Sequence, residues 1–218
     1  MDAHATLMQE IDAEMRATAG WTGRPHLAPR VRAALLTVRR AAFVPTALRA
    51  EAYANHALRI GHGQTISQPF IVALMTELLD PAPDHVMLEV GTGTGYQAAV
   101  LGALVRRVYS VEVIPALSAQ AATALAHEAV GNVSLRVGDG ASGWPEHAPY
   151  DGIIVTAAGP TVPPALVTQL RPGGRMVTPL GEPFSDQMLT LIVKDAGGSV
   201  SRRDILPVAF VPLVTGEP

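Results

Sequence analysis

Three groups of residues stand out when type and spacing are read for chemistry. Leu88-Glu89-Val90-Gly91-Thr92-Gly93-Thr94-Gly95 closes an apolar run and opens a helical one. Glycines suit such a turn, because the backbone must reverse sharply and approach a ligand where a Cβ would intrude. Glu112 follows at the end of the next apolar run, about 20 residues on, where a carboxylate can accept hydrogen bonds from both ribose hydroxyls. Gly138-Asp139-Gly140 comes after a third run, placing a carboxylate and an adjacent amide within reach of an adenine edge. Each group also has a plain reading: a tight turn, a solvated strand-end acid and an ordinary Asp-Gly turn. Their occurrence at consecutive strand ends favours a nucleoside site.

The loop also selects among nucleotides. Dinucleotide enzymes use Gly-x-Gly-x-x-Gly to seat a pyrophosphate on a helix N-terminus, whereas here the third glycine comes one residue early. The Lys-Ser or Lys-Thr of a phosphate-cradling loop is also missing. An adenosine ligand without phosphates fits better, and S-adenosylmethionine is the common one. Gly91, Thr92 and Gly93 are therefore expected against this cofactor, with Glu89 attracting its ammonium group or the backbone that holds it.

The elements that must position these groups follow from periodicity. Leu7, Ile11 and Met15 predict an amphipathic helix over 1–19, stopped by Gly20. A second helix starts at Pro29 and runs through Val38; residues 52–69 lose periodicity and read as an irregular docking segment, and Pro69–Leu79 is helical again. Strands are expected at 86–90, 108–111, 133–137, 153–155 and 176–179, with helices near 96–105, 115–128 and 163–170. That alternation implies a doubly wound α/β domain with a mostly parallel sheet. Two further strands, 188–194 and 205–213, flank Asp195-Ala196-Gly197-Gly198, a hairpin signal that predicts an antiparallel end to the sheet. Without a repeat or a linker, residues 1–218 read as one domain, with a helical and loop region over 1–80 and the core over 81–218.

Bulk composition narrows the partners. A net charge of −3 with 16% charged residues supplies no basic face for nucleic acid or anionic membrane. No cysteine is present, which removes thiol chemistry and disulfides and agrees with a reducing compartment. Neither a secretory h-region nor a run long enough to cross a membrane is seen. A cytoplasmic protein is expected, with a monomer as the default. The seven histidines include no helix-spaced ligand pair, so no metal is expected.

One segment goes further. Ile60-Gly61-His62-Gly63-Gln64-Thr65-Ile66-Ser67-Gln68-Pro69 resembles the signature loop of protein-L-isoaspartate (D-aspartate) O-methyltransferases. The resemblance continues in order through Arg40–Pro45, Ala52-Tyr53, Met75–Leu79, Gly95-Tyr96-Gln97, Gly138–Gly140, Gly143-Trp144, Ala148–Asp151, Thr156-Ala157-Ala158 and Pro172–Gly174, covering roughly 30–214. It implies a doubly wound sheet closed over by N-terminal helices, and a methyl transfer from S-adenosylmethionine to the free carboxylate of L-isoaspartyl residues in damaged proteins or peptides. Repair would then proceed through a succinimide. By the same resemblance Ser67 is the catalytic position beside the methyl group, orienting the substrate carboxylate. Thr65, Thr156, Ala157 and Ala158 lie on the substrate side. Gln64, Ile66 and Gln68 join the cofactor contacts, and Glu112, Asp139 and Gly140 hold the adenosine.

The chemistry agrees with these residue types. A carboxylate, with a pKa of about 4, is already ionised at neutral pH and attacks a sulfonium methyl without a general base. Alignment of oxygen, methyl carbon and sulfur is what the site must supply, and it is worth on the order of 7–11 kcal/mol. Ser67 also reads as an N-cap for the helix starting near Pro69. Asn55, Ala57 and Arg59 depart from the aspartate and prolines frequent in the family, which bears on peptide specificity. His62 and Trp144 read as a loop bystander and a packing residue. Rival readings are a relative dedicated to one peptide substrate, a small-molecule methyltransferase and a cofactor-binding protein without activity.

Overall fold

The N-terminal third of the chain builds a helical layer and the rest a sheet, both seen in a computed structural model that describes residues 3–182 and 186–216. The first two residues of the expected N-terminal helix lie outside that range. α1 (Ala3–Ala17) buries Leu7, Met8, Ile11 and Met15 on one face, the stripe an amphipathic helix turns toward a core. Gly20, expected to stop it, instead lies within the one-turn α2 (Ala19–Thr22), and Gly23 at φ 67 ends that turn. α3 (Pro29–Thr37) begins at its proline as expected. The segment read as irregular contains a short antiparallel pair, β1 (Leu58–Gly61) and β2 (Gln64–Ile66). Runs of four and three residues with glycines at the turn are too short to show a period. α4 (Pro69–Leu79) is buried at every position, because α1 and α3 cover one side and the sheet the other.

The sheet elements follow in chain order: β3 (Val86–Val90), α5 (Tyr96–Gly102), β4 (Arg107–Glu112), α6 (Pro115–His127), β5 (Val133–Val137), β6 (Tyr150–Val155), α7 (Pro164–Gln169), β7 (Leu170–Leu180), β8 (Gln187–Lys194) and β9 (Val200–Val208). Their order across the sheet is β5-β4-β3-β6-β7-β8-β9. The first five are parallel and the last two antiparallel, so the doubly wound reading and its antiparallel end both hold. β3 is a near-continuous apolar run because both its faces are covered: Met87 faces α4 and α5, while Leu88 and Val90 join Tyr150, Leu166 and Met176 opposite.

Two strands start earlier than expected for reasons of composition. β7 starts at Leu170, where Pro172-Gly173-Gly174 hides the strand pattern and its pairing with β6 shifts register. β9 starts at Val200 because Ser201, Arg202, Arg203 and Asp204 form an exposed polar edge, and it ends at Val208. The residues beyond it, expected to continue the strand, instead fold back over the sheet, where the Ala158 amide donates to Val211 O (2.8 Å) and the Leu213 amide to Ala158 O (2.7 Å). Strand order runs outward in opposite directions from β3 and β6. The crevice beyond their carboxyl ends is therefore the place where a sheet of this kind takes a ligand.

Candidate active site

The glycine loop leaves β3 directly into that crevice. The Gly91 amide donates to Val111 O (2.8 Å) and the Thr156 amide to Val90 O (2.9 Å), extending the ladder past the strand ends. Thr156 also directs its hydroxyl at Gly91 O (2.7 Å) and Val90 O (3.1 Å). Gly91 has φ 92, and a Cβ there would overlap Thr156 Oγ1, so this turn requires glycine on both counts. Gly140 is constrained by space alone, since a Cβ would run into Val90 Cγ1.

Glu112 grips the loop from the next strand end. Its Oε2 accepts the Gly93 amide (2.8 Å) and its Oε1 the Ile114 amide (3.0 Å), with the side chain buried. Each carboxylate oxygen has a second lone pair, which leaves acceptor capacity for ribose hydroxyls. Glu89 lies behind the loop, off the cavity wall. Fully buried on the α4 and α5 side, it accepts a short hydrogen bond from Ser110 Oγ, which also meets Thr92 Oγ1 at 2.6 Å. Burial pushes its pKa up to about 8, the Glu112 charge adding to the rise and the Ser110 bond opposing it. Its Oε1 is buried without a hydrogen-bond partner among the described residues, and the Ser110 bond sets the carboxyl behind Thr92.

Gln64, Thr65, Ile66 and Ser67 from the β1–β2 side face Gly91, Thr92, Gly93, Glu112, Gly140, Thr156 and Ala157 across one cavity. Gln68, Glu89, Asp139 and Ala158 are not on its wall. Gln68 lies in a second, outer groove with Asn55, His56, Ala57, Ile71 and Pro207–Phe210. Asp139 accepts the Ala141 amide (2.8 Å) and the Gly216 amide (3.2 Å), tying the chain end to its turn. Ala158 anchors the returning tail, whose Val211–Val214 complete the cavity wall. Sequence reasoning missed that tail, as well as Val72, Tyr96 and Gln97 on the same wall. Of these only Tyr96 and Gln97 carried a signal, in the run that follows the glycine loop.

The two hollows share Thr65 and Ser67. Ser67 is half-buried and its hydroxyl has no partner among the described residues, while its carbonyl accepts from Arg40 Nη2 (2.9 Å). It does not cap α4. Gln68 is the N-cap, its side chain turned to Glu14 Oε1 (3.5 Å) instead of capping the helix, and the Phe70 amide is taken by Asn55 Oδ1 (3.0 Å). Asn55 Nδ2 donates in turn to Glu14 Oε1 (2.6 Å), a bond the family's frequent aspartate could not make. Arg59 and His62 are exposed on the hairpin, outside both hollows, and Trp144 packs edge-on against Tyr109 at 5.3 Å.

Residues 22–218 match the protein-L-isoaspartate (D-aspartate) O-methyltransferase family. The chain belongs to that family. A protein-L-isoaspartate O-methyltransferase 2 of Syntrophobacter fumaroxidans is 53% identical over 215 residues, covering 99% of this chain and 87% of the relative. Another, from a Polaromonas species, is 54% identical over 211 residues, covering 97% of this chain and all of the relative. Among solved structures, a protein-L-isoaspartate O-methyltransferase at 27% identity superposes with TM-score 0.78; the match covers 94% of this chain and 65% of that one. A Plasmodium falciparum structure, described as an isoaspartate methyltransferase in complex with S-adenosyl-L-homocysteine, matches over 99% of this chain and 100% of its own at TM-score 0.82. At 21% identity that match shows the shared fold.

Proposed function

We propose that this protein transfers a methyl group from S-adenosylmethionine to the free carboxylate of L-isoaspartyl residues in damaged proteins or peptides. One observation carries the reading within the family: Ser67 stands where the glycine-loop cavity and the outer groove meet. The inner cavity suits the cofactor. Among the described residues its wall has no lysine or arginine to hold phosphates, it carries Glu112 at the end of β4, where a carboxylate suits ribose hydroxyls, and Gly91 and Gly140 keep it open where side chains would close it.

S-adenosylmethionine, when bound, supplies an electrophilic methyl on a sulfonium. The chain's own residues then have a placing task. Among the described residues no histidine lies on the inner wall, and none is needed, because the acceptor carboxylate arrives ionised. The unpartnered Ser67 hydroxyl would donate to one oxygen of the acceptor carboxylate and leave the other free as the nucleophile toward the methyl group that the bound cofactor would supply. Ile66, Val72 and Leu213 keep water from that contact, which favours a step in which opposite charges cancel.

The outer groove supports a peptide acceptor. Among the described residues its lining carries no Asp, Glu, Lys or Arg, and Pro207–Phe210 offers a stretch of chain for an extended segment of varied sequence to lie along. The same reading takes the protein as a single-domain monomer of the cytoplasm without nucleic-acid or membrane partners, supported by its net charge of −3 and lack of cysteine. Among the described residues no helix is long and apolar enough to cross a membrane.

The test pairs labelled S-adenosylmethionine with peptides that differ only in aspartate or isoaspartate. Label is expected on the isoaspartyl peptide alone, and Ser67→Ala is expected to lower kcat/KM by roughly 10- to 100-fold, the worth of one hydrogen bond to a charged group. Equal labelling of both peptides would end the specificity reading.

A further inference from the structure

Arg40 is the largest fully buried side chain among the described residues, and stability alone gives a poor account of it. Its Nε donates to Ala52 O (2.9 Å), its Nη2 to Ser67 O (2.9 Å), and its guanidinium lies over the Tyr96 ring at 5.0 Å. Among the described residues no carboxylate pairs with it, and Nη1 is buried without a hydrogen-bond partner. Burial lowers its pKa to about 10, so it remains charged at neutral pH. An unpaired, incompletely bonded cation in a core destabilises, and an apolar side chain of similar volume is often neutral or better.

What the guanidinium does is join three parts of the site. The segment around Ala52 leads into the outer groove, Ser67 lies between the two hollows, and Tyr96 is on the inner wall. We infer that Arg40 is a positioning residue for methyl transfer, clamping the Ser67 backbone against Tyr96 so that the serine hydroxyl meets the acceptor carboxylate in line with the methyl group. This rests on the reading of Ser67 given above. A planar fork can hold two carbonyls and a ring face at once; an ammonium on a flexible stem cannot.

Arg40→Lys keeps the charge and removes the fork. Arg40→Met, apolar and of similar length, removes both and supplies the same comparison if the lysine variant melts below the assay temperature. The expected result is a kcat on isoaspartyl peptide lower by roughly 10- to 100-fold, the scale of a small misplacement at a reacting centre. The S-adenosylhomocysteine Kd, read by calorimetry, is expected to stay within about twofold of wild type. Combined with Ser67→Ala, the Arg40 variant is expected to lower kcat no further than Ser67→Ala alone, since one acts through the other. Unchanged kcat, losses that multiply in the double variant, or a parallel loss of S-adenosylhomocysteine binding each overturns the inference while the Ser67 reading stands. An inert Ser67→Ala removes that reading and this inference together.

Discussion

The inner cavity has two walls held by different means. On the sheet side the contacts continue the parallel ladder: Gly91 to Val111, Thr156 to Val90, and Gly93 to a carboxylate one strand over. On the lid side single polar side chains tie distant segments together, Arg40 to Ser67, Asn55 to both Phe70 and Glu14, while the chain's tail is bound at Ala158. Backbone bonds repeated along a ladder set a geometry that one substitution shifts little. A wall held by two or three side chains depends on each of them. Cofactor binding is therefore expected to be separable from acceptor placement, and substitutions on the two walls are expected to report on different kinetic constants.

The sharpest way to break that contrast is on the sheet side. Gly91→Ala places a side chain at positive φ and against Thr156, for an expected loss of about 2–5 kcal/mol from the strained backbone and overpacking. Denaturant unfolding measures it, and calorimetry should show S-adenosylhomocysteine binding lost with it; binding as tight as wild type would mean the loop does not set the cofactor wall.

A second experiment asks how rigidly the loop is backed. The Glu89 carboxyl, its pKa raised to about 8 in the fold, holds a proton that the unfolded chain releases at about 4.5. Its stabilising contribution is thus complete below about pH 4.5 and is lost as pH rises through about 8, with a slope of up to about 1.4 kcal/mol per pH unit. Stability measured across this window is expected to fall with pH in wild type, and the slope is expected to flatten in Glu89→Gln. An unchanged slope in the variant would assign the pH dependence elsewhere.

The smallest effect belongs to the lid. Asn55→Ala removes the hydrogen bond to the first turn of α4 and the bond to Glu14, at an expected cost of about 1 kcal/mol. The contrast between walls is sharpened if KM for the isoaspartyl peptide rises while the S-adenosylhomocysteine Kd holds, and it is weakened if both move together.

What the sequence alone determined is the part of the molecule built from neighbours along the chain or across one ladder. The alternating apolar runs settled the doubly wound sheet, because strands buried on both faces must be apolar throughout. The resemblance around Gln64–Pro69 placed Ser67 before any geometry was known. Only tertiary structure decided the rest. Glu89 lies in line with the glycine loop in sequence, yet its direction was set by the face of β3 it occupies, which turns it into the core toward Ser110. Asp139 was taken up by the amide of Gly216, Asn55 by a helix start and by Glu14, and Arg40 by carbonyls 12 and 27 residues away. Spacing along a chain reports periodic burial, whereas the partner of a single polar group depends on which segments the completed fold brings within hydrogen-bonding reach.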